Sequence, residues 1–125
     1  MAKIIVCYNL PSDESPYYSK LWTNVDPEHK VRFSIDDVKN MLGNYAVTKR
    51  DSLVDIIYHN FMNEAMLAGY DIIIDNTNLD NKFINELNKL VTEFNEWIAL
   101  SPLAKSHKYE IKYKNFLDTP IKNLH

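Results

Sequence analysis

A chain of 125 residues with 46% hydrophobic and 25% charged content can bury one core without staples, and residues 1–125 are expected to form a single domain. The net charge of −3 carries no electrostatic footprint for nucleic acid, and the single cysteine excludes an internal disulfide. No apolar run approaches the roughly 20 residues that span a bilayer, and no signal-peptide pattern opens the chain, so a cytoplasmic setting is expected.

Residues 4–8, IIVCY, form an unbroken apolar run that reads as a strand buried on both faces, with Cys7 packed inside it. A polar loop follows over 9–14. Ser15 as N-cap and Pro16 in the first turn then start a helix over 16–23, whose Tyr17, Tyr18 and Trp22 are expected to pack it onto the sheet or line a contact surface, with a stacking platform for bases as the alternative. Residues 24–30 around Pro27 break periodicity and read as a loop. A short strand is expected over 31–34. The segment IDDVKNML, 35–42, then makes a helix stopped by Gly43 and Asn44.

Residues 48–67 are the longest helix candidate, with Leu53, Ile56, Ile57, Phe61, Ala65 and Met66 at helical spacing and Gly69 as the stop. A buried strand over 70–74 ends in Asp75. From 79 or 80 to 97, Phe83, Ile84, Leu87, Leu90, Val91, Phe94 and Trp97 mark one apolar helix face. Residues 98–106, with Pro102, read as a connection. In KYEIKYK, 108–114, apolar and polar residues alternate strictly, so one face of this strand is wet, and its lysines suit a sheet edge. Residues 115–125 read as a loop and a last turn around Pro120. Buried strands alternating with helices predict an α/β layered fold with a mainly parallel sheet and right-handed crossovers. His29, His59, His107 and His125 show no metal-ligand spacing with one another or with Cys7. No GxSxG or Cys/His pattern points to a hydrolase.

A buried strand, a loop and a helix N-terminus make a phosphate-binding loop when the loop is glycine-rich. The segment NLPSDESPY, 9–17, lies where P-loop kinases similar to phage polynucleotide kinase carry a GxPGSGKST-type segment. In that resemblance Asn9, Ser12 and Glu14 take glycine positions, Ser15 takes the lysine position and Pro16 that of the metal-binding hydroxyl; Pro11 alone matches. Glycine lets main-chain N–H groups approach a phosphate without a Cβ in the way. Asp13 and Glu14 instead repel a triphosphate, and they suit the positive end of the helix that follows.

Two further segments resemble the family. In FSIDDVK, 33–39, Asp36 matches the general base that takes the proton from the attacking hydroxyl, while Lys39 stands where an arginine is usual and Ile35 occupies a position that is often basic. In IIIDNTNLDN, 72–81, Asp75 matches the acidic strand end that helps hold Mg²⁺ through water, with Thr77 and Asn78 beside it.

The resemblance implies a three-layer α/β sandwich with four strands in the order 2-3-1-4 and a site at their C-terminal ends. In the family a lid carrying arginines and a final strand come after the strand over 108–114; here both are expected to be missing. Phosphoryl transfer rests on positioned cations, with an arginine worth about 10³–10⁵ in rate in some systems. The reading is therefore a degenerate kinase-like domain that binds rather than catalyses, with a regulatory or virion-associated structural role. It needs no cofactor and no metal, and its expected partner is another protein or a second copy of itself. The abundance of Asn, Lys, Ile, Asp and Tyr matches an AT-rich genome such as that of a phage or a low-GC bacterium; a phage-encoded protein is expected in the host cytoplasm or the virion. The alternative is an active polynucleotide 5′-kinase or nucleotide-binding phosphotransferase using ATP and Mg²⁺, with Asp36 as base and Lys20 or a partner subunit supplying cations. A third reading is nucleic-acid binding without catalysis, through Lys49, Arg50 and the lysines of the last strand.

Overall fold

The first apolar run forms β1 (Ala2–Tyr8), which lies inside a parallel sheet between β3 (Asp71–Asp75) and β4 (Tyr109–Asn115). β2 (Lys30–Phe33) pairs in parallel with β3 and completes the order β2-β3-β1-β4, as expected. The computed structural model describes residues 2–8, 15–43, 51–75, 80–101 and 107–115. Parallel neighbours need crossover connections, and helices supply them. These are α1 (Ser15–Val25) after β1, α2 (Ile35–Met41) and α3 (Asp51–Leu67) after β2, and α4 (Asn81–Leu100) after β3. No helix among the described residues is long and apolar enough to cross a membrane.

Side chains alternate across a strand, so each central strand feeds two layers. Ile4, Val6, Ile72 and Ile74, all fully buried, join Val54, Met62 and Met66 of α3 and Leu87 and Val91 of α4 in the main core. Each such side chain contributes roughly 1.5–3 kcal/mol on leaving water. Phe33 on β2 packs on Tyr58 and Phe61 with ring centroids 5.4 and 5.0 Å away, and Tyr58 meets Phe83 of α4 at 5.9 Å. Cys7, Ile73 and Asp75 have the opposite parity. They face α1, whose Ser19 hydroxyl donates to Asp75.

Local chemistry sets the ends of the elements. Ser34, expected to close β2, is instead the N-cap of α2, its hydroxyl accepting from Asp37 N–H at 3.2 Å. Asp80 caps α4 by accepting from Phe83 N–H at 2.7 Å. Gly43 (φ 110°) and Gly69 (φ 81°) take the left-handed conformation that ends a helix at low cost. α1 begins at Ser15, at the Ser–Pro signal, and continues through Asn24 and Val25, two residues into the expected loop. Only Pro27 and the Asp26 turn interrupt it. α4 likewise runs on to Leu100 before the residue preceding Pro102.

Of the stripe expected on α3, Ala65 and Met66 are buried and Ile57 and Phe61 pack against the core, but Leu53 and Ile56 do not. Val54, Tyr58, Met62 and Met66 face the sheet, whereas Leu53 and Ile56 are 45% and 56% exposed. α3 carries apolar residues on more than one side, so periodicity admits two stripes; the row at 54, 58, 62 and 66 is the most buried, with Phe61 beside it against Phe33. Trp97, also expected on a packed face, is 47% exposed.

β4 is a sheet edge, as its lysines imply. Its first residue is held from the helix side: Asn95 Nδ2 donates to Tyr109 O at 2.9 Å and Tyr109 N donates to Asn95 Oδ1 at 2.7 Å. A side-chain amide thus stands in for a neighbouring strand.

Candidate functional site

At the C-terminal end of β3 the chain must place Asp75 in an apolar layer, where an unpaired carboxylate is costly. Asp75 is 4% exposed. Its partners come from two other elements. The Ser19 hydroxyl donates to Asp75 Oδ2, and Arg32 Nη2 donates to the same oxygen at 2.8 Å. Arg32 Nε donates to Ser19 Oγ at 2.9 Å, closing a ring of three side chains. The remaining arm, Nη1, reaches Asp37 Oδ2 at 2.9 Å in the first turn of α2. Three arms of one planar guanidinium therefore tie β2, β3, α1 and α2 together, which the fixed fork of arginine allows and a lysine would not.

The strand geometry explains why Arg32 is available. Val31 and Phe33 point into the main core, so Arg32 between them faces the α1 side, the face onto which Asp75 projects. Burial disfavours the guanidinium charge, but the bonds to Asp75 and Asp37 more than offset it, leaving its pKa raised. Next to Asp75 in the β1–β3 register stands Cys7. Burial, reinforced by the Asp75 charge and opposed by Lys114, pushes its thiol up to about 12. Cys7 is thus a protonated packing residue at neutral pH.

Asp36 and Lys39 lie one turn apart on α2, both half-buried, on a helix whose first turn is drawn to the Asp75 end of the sheet by the Arg32–Asp37 contact. Ser15 and Pro16 open α1 at the same end. The structure therefore brings the Asp36, Asp75 and α1 segments to one end of the sheet. Asn9, Pro11, Ser12, Asp13 and Glu14 lie outside the described residues, as do Thr77 and Asn78. Lys20 is on α1 with its side chain exposed. No group of three or more His, Cys, Asp or Glu that could hold a metal occurs among the described residues.

Sequence reasoning missed Ser19, Arg32 and Asp37. A legible signal existed for Arg32: one charged residue between two apolar ones in a short strand must point to the opposite layer, where an acidic partner is needed.

In this arrangement Asp75 Oδ2 is already engaged by Ser19 and Arg32. A divalent ion drawn to this carboxylate would meet the Arg32 guanidinium as well, and its attraction to Asp75 and Asp37 would have to exceed that repulsion. Releasing Arg32 instead would strand its charge.

No family model matches the chain, and no curated protein matches it. Among solved structures, one chain of a Pnkp1/Rnl/Hen1 complex is similar over 99% of this chain, at 16% identity and a TM-score of 0.55. This chain spans 39% of the length of that one. At such identity the likeness is one of fold: four parallel strands in the order 2-3-1-4 with helices as crossovers.

Proposed function

We propose that this protein is a degenerate P-loop kinase-like domain that works by binding a partner rather than by transferring phosphate. The observation that carries the reading is the closed Ser19–Arg32–Asp75 ring. The carboxylate that corresponds to a metal-assisting group in the family resemblance is already neutralised from within by Arg32, at 2.8 Å and almost out of contact with solvent. The sequence of the first loop supports the same reading, because Asp13 and Glu14 stand where a polyanion cradle would need glycine and a cation.

Two features favour the alternative, a polynucleotide 5′-kinase. Asp36 is carried at the Asp75 end of the sheet, and the fold is shared with a chain of a Pnkp1/Rnl/Hen1 complex. Calorimetric titration with ATP and Mg²⁺ separates the two. Binding weaker than about 100 µM, a free energy of roughly 5.5 kcal/mol, is expected. Tighter binding, together with labelled phosphate transfer to a 5′-hydroxyl oligonucleotide that is lost in Asp36→Asn, would establish the kinase instead.

A further inference from the structure

Both α3 and α4 belong to crossovers that return over the same face of a parallel sheet, so they run side by side in the same direction. Tyr58, midway along α3, meets Phe83 in the first turn of α4, and Leu67 at the end of α3 shares a cleft with Leu90 and Phe94 of α4. Two clefts open along the line between them. The larger, about 470 Å³, is lined by Leu67, Leu90, Phe94 and Trp97, with Glu64 and Glu93 among its polar members and no cation among its described lining residues. Leu67 and Trp97 are 50% and 47% exposed there, so this apolar surface is accessible.

The smaller cleft, about 170 Å³, continues the pattern towards the helix starts. Asp55, Asp80 and Glu86 line it against a single cation, Lys82. Tyr58 forms part of its wall, and the hydroxyl of this buried tyrosine has no hydrogen-bond partner. Glu64, Glu86, Glu93 and Asp55 form no ion pair with any described residue.

The apolar lining calls for an apolar occupant, and five carboxylates against one ammonium call for a cationic one. A second copy related by a two-fold axis would bring the same acidic residues against these, and like charges across an interface are unfavourable. We propose that the α3–α4 groove docks a basic amphipathic helix of a partner protein. The apolar stripe of that helix would lie on Leu67, Leu90, Phe94 and Trp97, and its Lys or Arg side chains would meet Glu64 and Glu93. The inference goes beyond the reading of the strand-end site and is tested separately from it, because titration with ATP does not report on this surface.

The chain has two tryptophans, Trp22 and Trp97, so Trp22→Phe leaves Trp97 as the only tryptophan signal. The probe is a synthetic peptide of about 14 residues with leucine and lysine at amphipathic helical spacing, long enough to form a helix on contact. A saturable shift of Trp97 emission is expected, with affinity falling at least about tenfold, 1.4 kcal/mol, when Glu64→Lys and Glu93→Lys are added. The far-ultraviolet circular dichroism of that variant should be unchanged. A matched leucine and glutamate peptide should give no shift. Equal binding by the charge-reversed protein, or no Trp97 response to the lysine peptide, overturns the proposal. So does sedimentation showing that the free protein pairs through this face, which would assign the groove to a second copy.

Discussion

Arg32 and Asp75 are paired at 2.8 Å across two strands, and the side chain of Asp75 is only 3% exposed while that of Arg32 is 19% exposed. A buried pair of this kind is worth little against a well-packed apolar pair, yet losing one member alone is severe because the survivor keeps its charge. Arg32→Met is therefore expected to destabilise the fold by about 3–5 kcal/mol, and adding Asp75→Leu should restore much of that. Urea unfolding of the single and double variants measures both. A single variant as stable as the parent protein would show that the network does not hold the site closed.

The α3 stripe gives a second comparison. Met62 is fully buried and Ile56 is 56% exposed. Met62→Ala should cost about 2–5 kcal/mol, whereas Ile56→Ala should stay within about 0.5 kcal/mol of the parent. Equal losses at the two positions would mean that the helix is rotated from the orientation described.

At the sheet edge, Asn95 satisfies both backbone groups of Tyr109. Asn95→Ala leaves those groups without their partner, an expected loss of about 1–3 kcal/mol. Amide hydrogen exchange should locate it: the Tyr109 N–H should exchange faster while amides in β3 keep their protection.

Stability should fall at alkaline pH, and Cys7 sets where the fall begins. Its thiol pKa is raised from 9.0 to about 12 by burial first and by Asp75 second. Below pH 9 both the folded and unfolded chains keep the proton, so stability is fully present. Between about 9 and about 12 the unfolded chain releases the proton and the folded one does not, so stability drops by up to about 1.4 kcal/mol per pH unit. Burial raises the pKa values of Tyr58 and Tyr109 as well, which steepens the fall above 10. Urea midpoints across pH 8–11 should show this decline, with Cys7→Ala removing the part between 9 and 10. The native thiol should also resist iodoacetamide until the chain unfolds; rapid alkylation at pH 8 would contradict the burial of Cys7.

Much of the architecture is written in local patterns. The apolar runs at 4–8 and 70–74, the alternation at 108–114, the Ser–Pro start at 15 and 16 and the glycine stops at 43 and 69 each act through neighbouring residues, so they read directly from the chain. The order of the strands came from family resemblance rather than from any local signal, and the structure has that order. Asp36 and Asp75 were likewise legible as acidic residues opening a helix and closing a strand. Their gathering at one end of the sheet follows from all four strands being parallel.

The pairing of Arg32 with Asp75 was decided by tertiary structure alone. The residues are 43 positions apart, and only the placement of β2 beside β3, with α1 over both, brings a guanidinium, a hydroxyl and a carboxylate into one ring. The same holds for the stripe that α3 buries, because its sequence offers apolar residues on more than one side and packing on the sheet selects among them. Short-range chemistry tells which elements form and where they end. Which side chains meet across those elements depends on the packing of whole layers, and at the strand end that packing makes Asp75 half of an internal ion pair with Arg32.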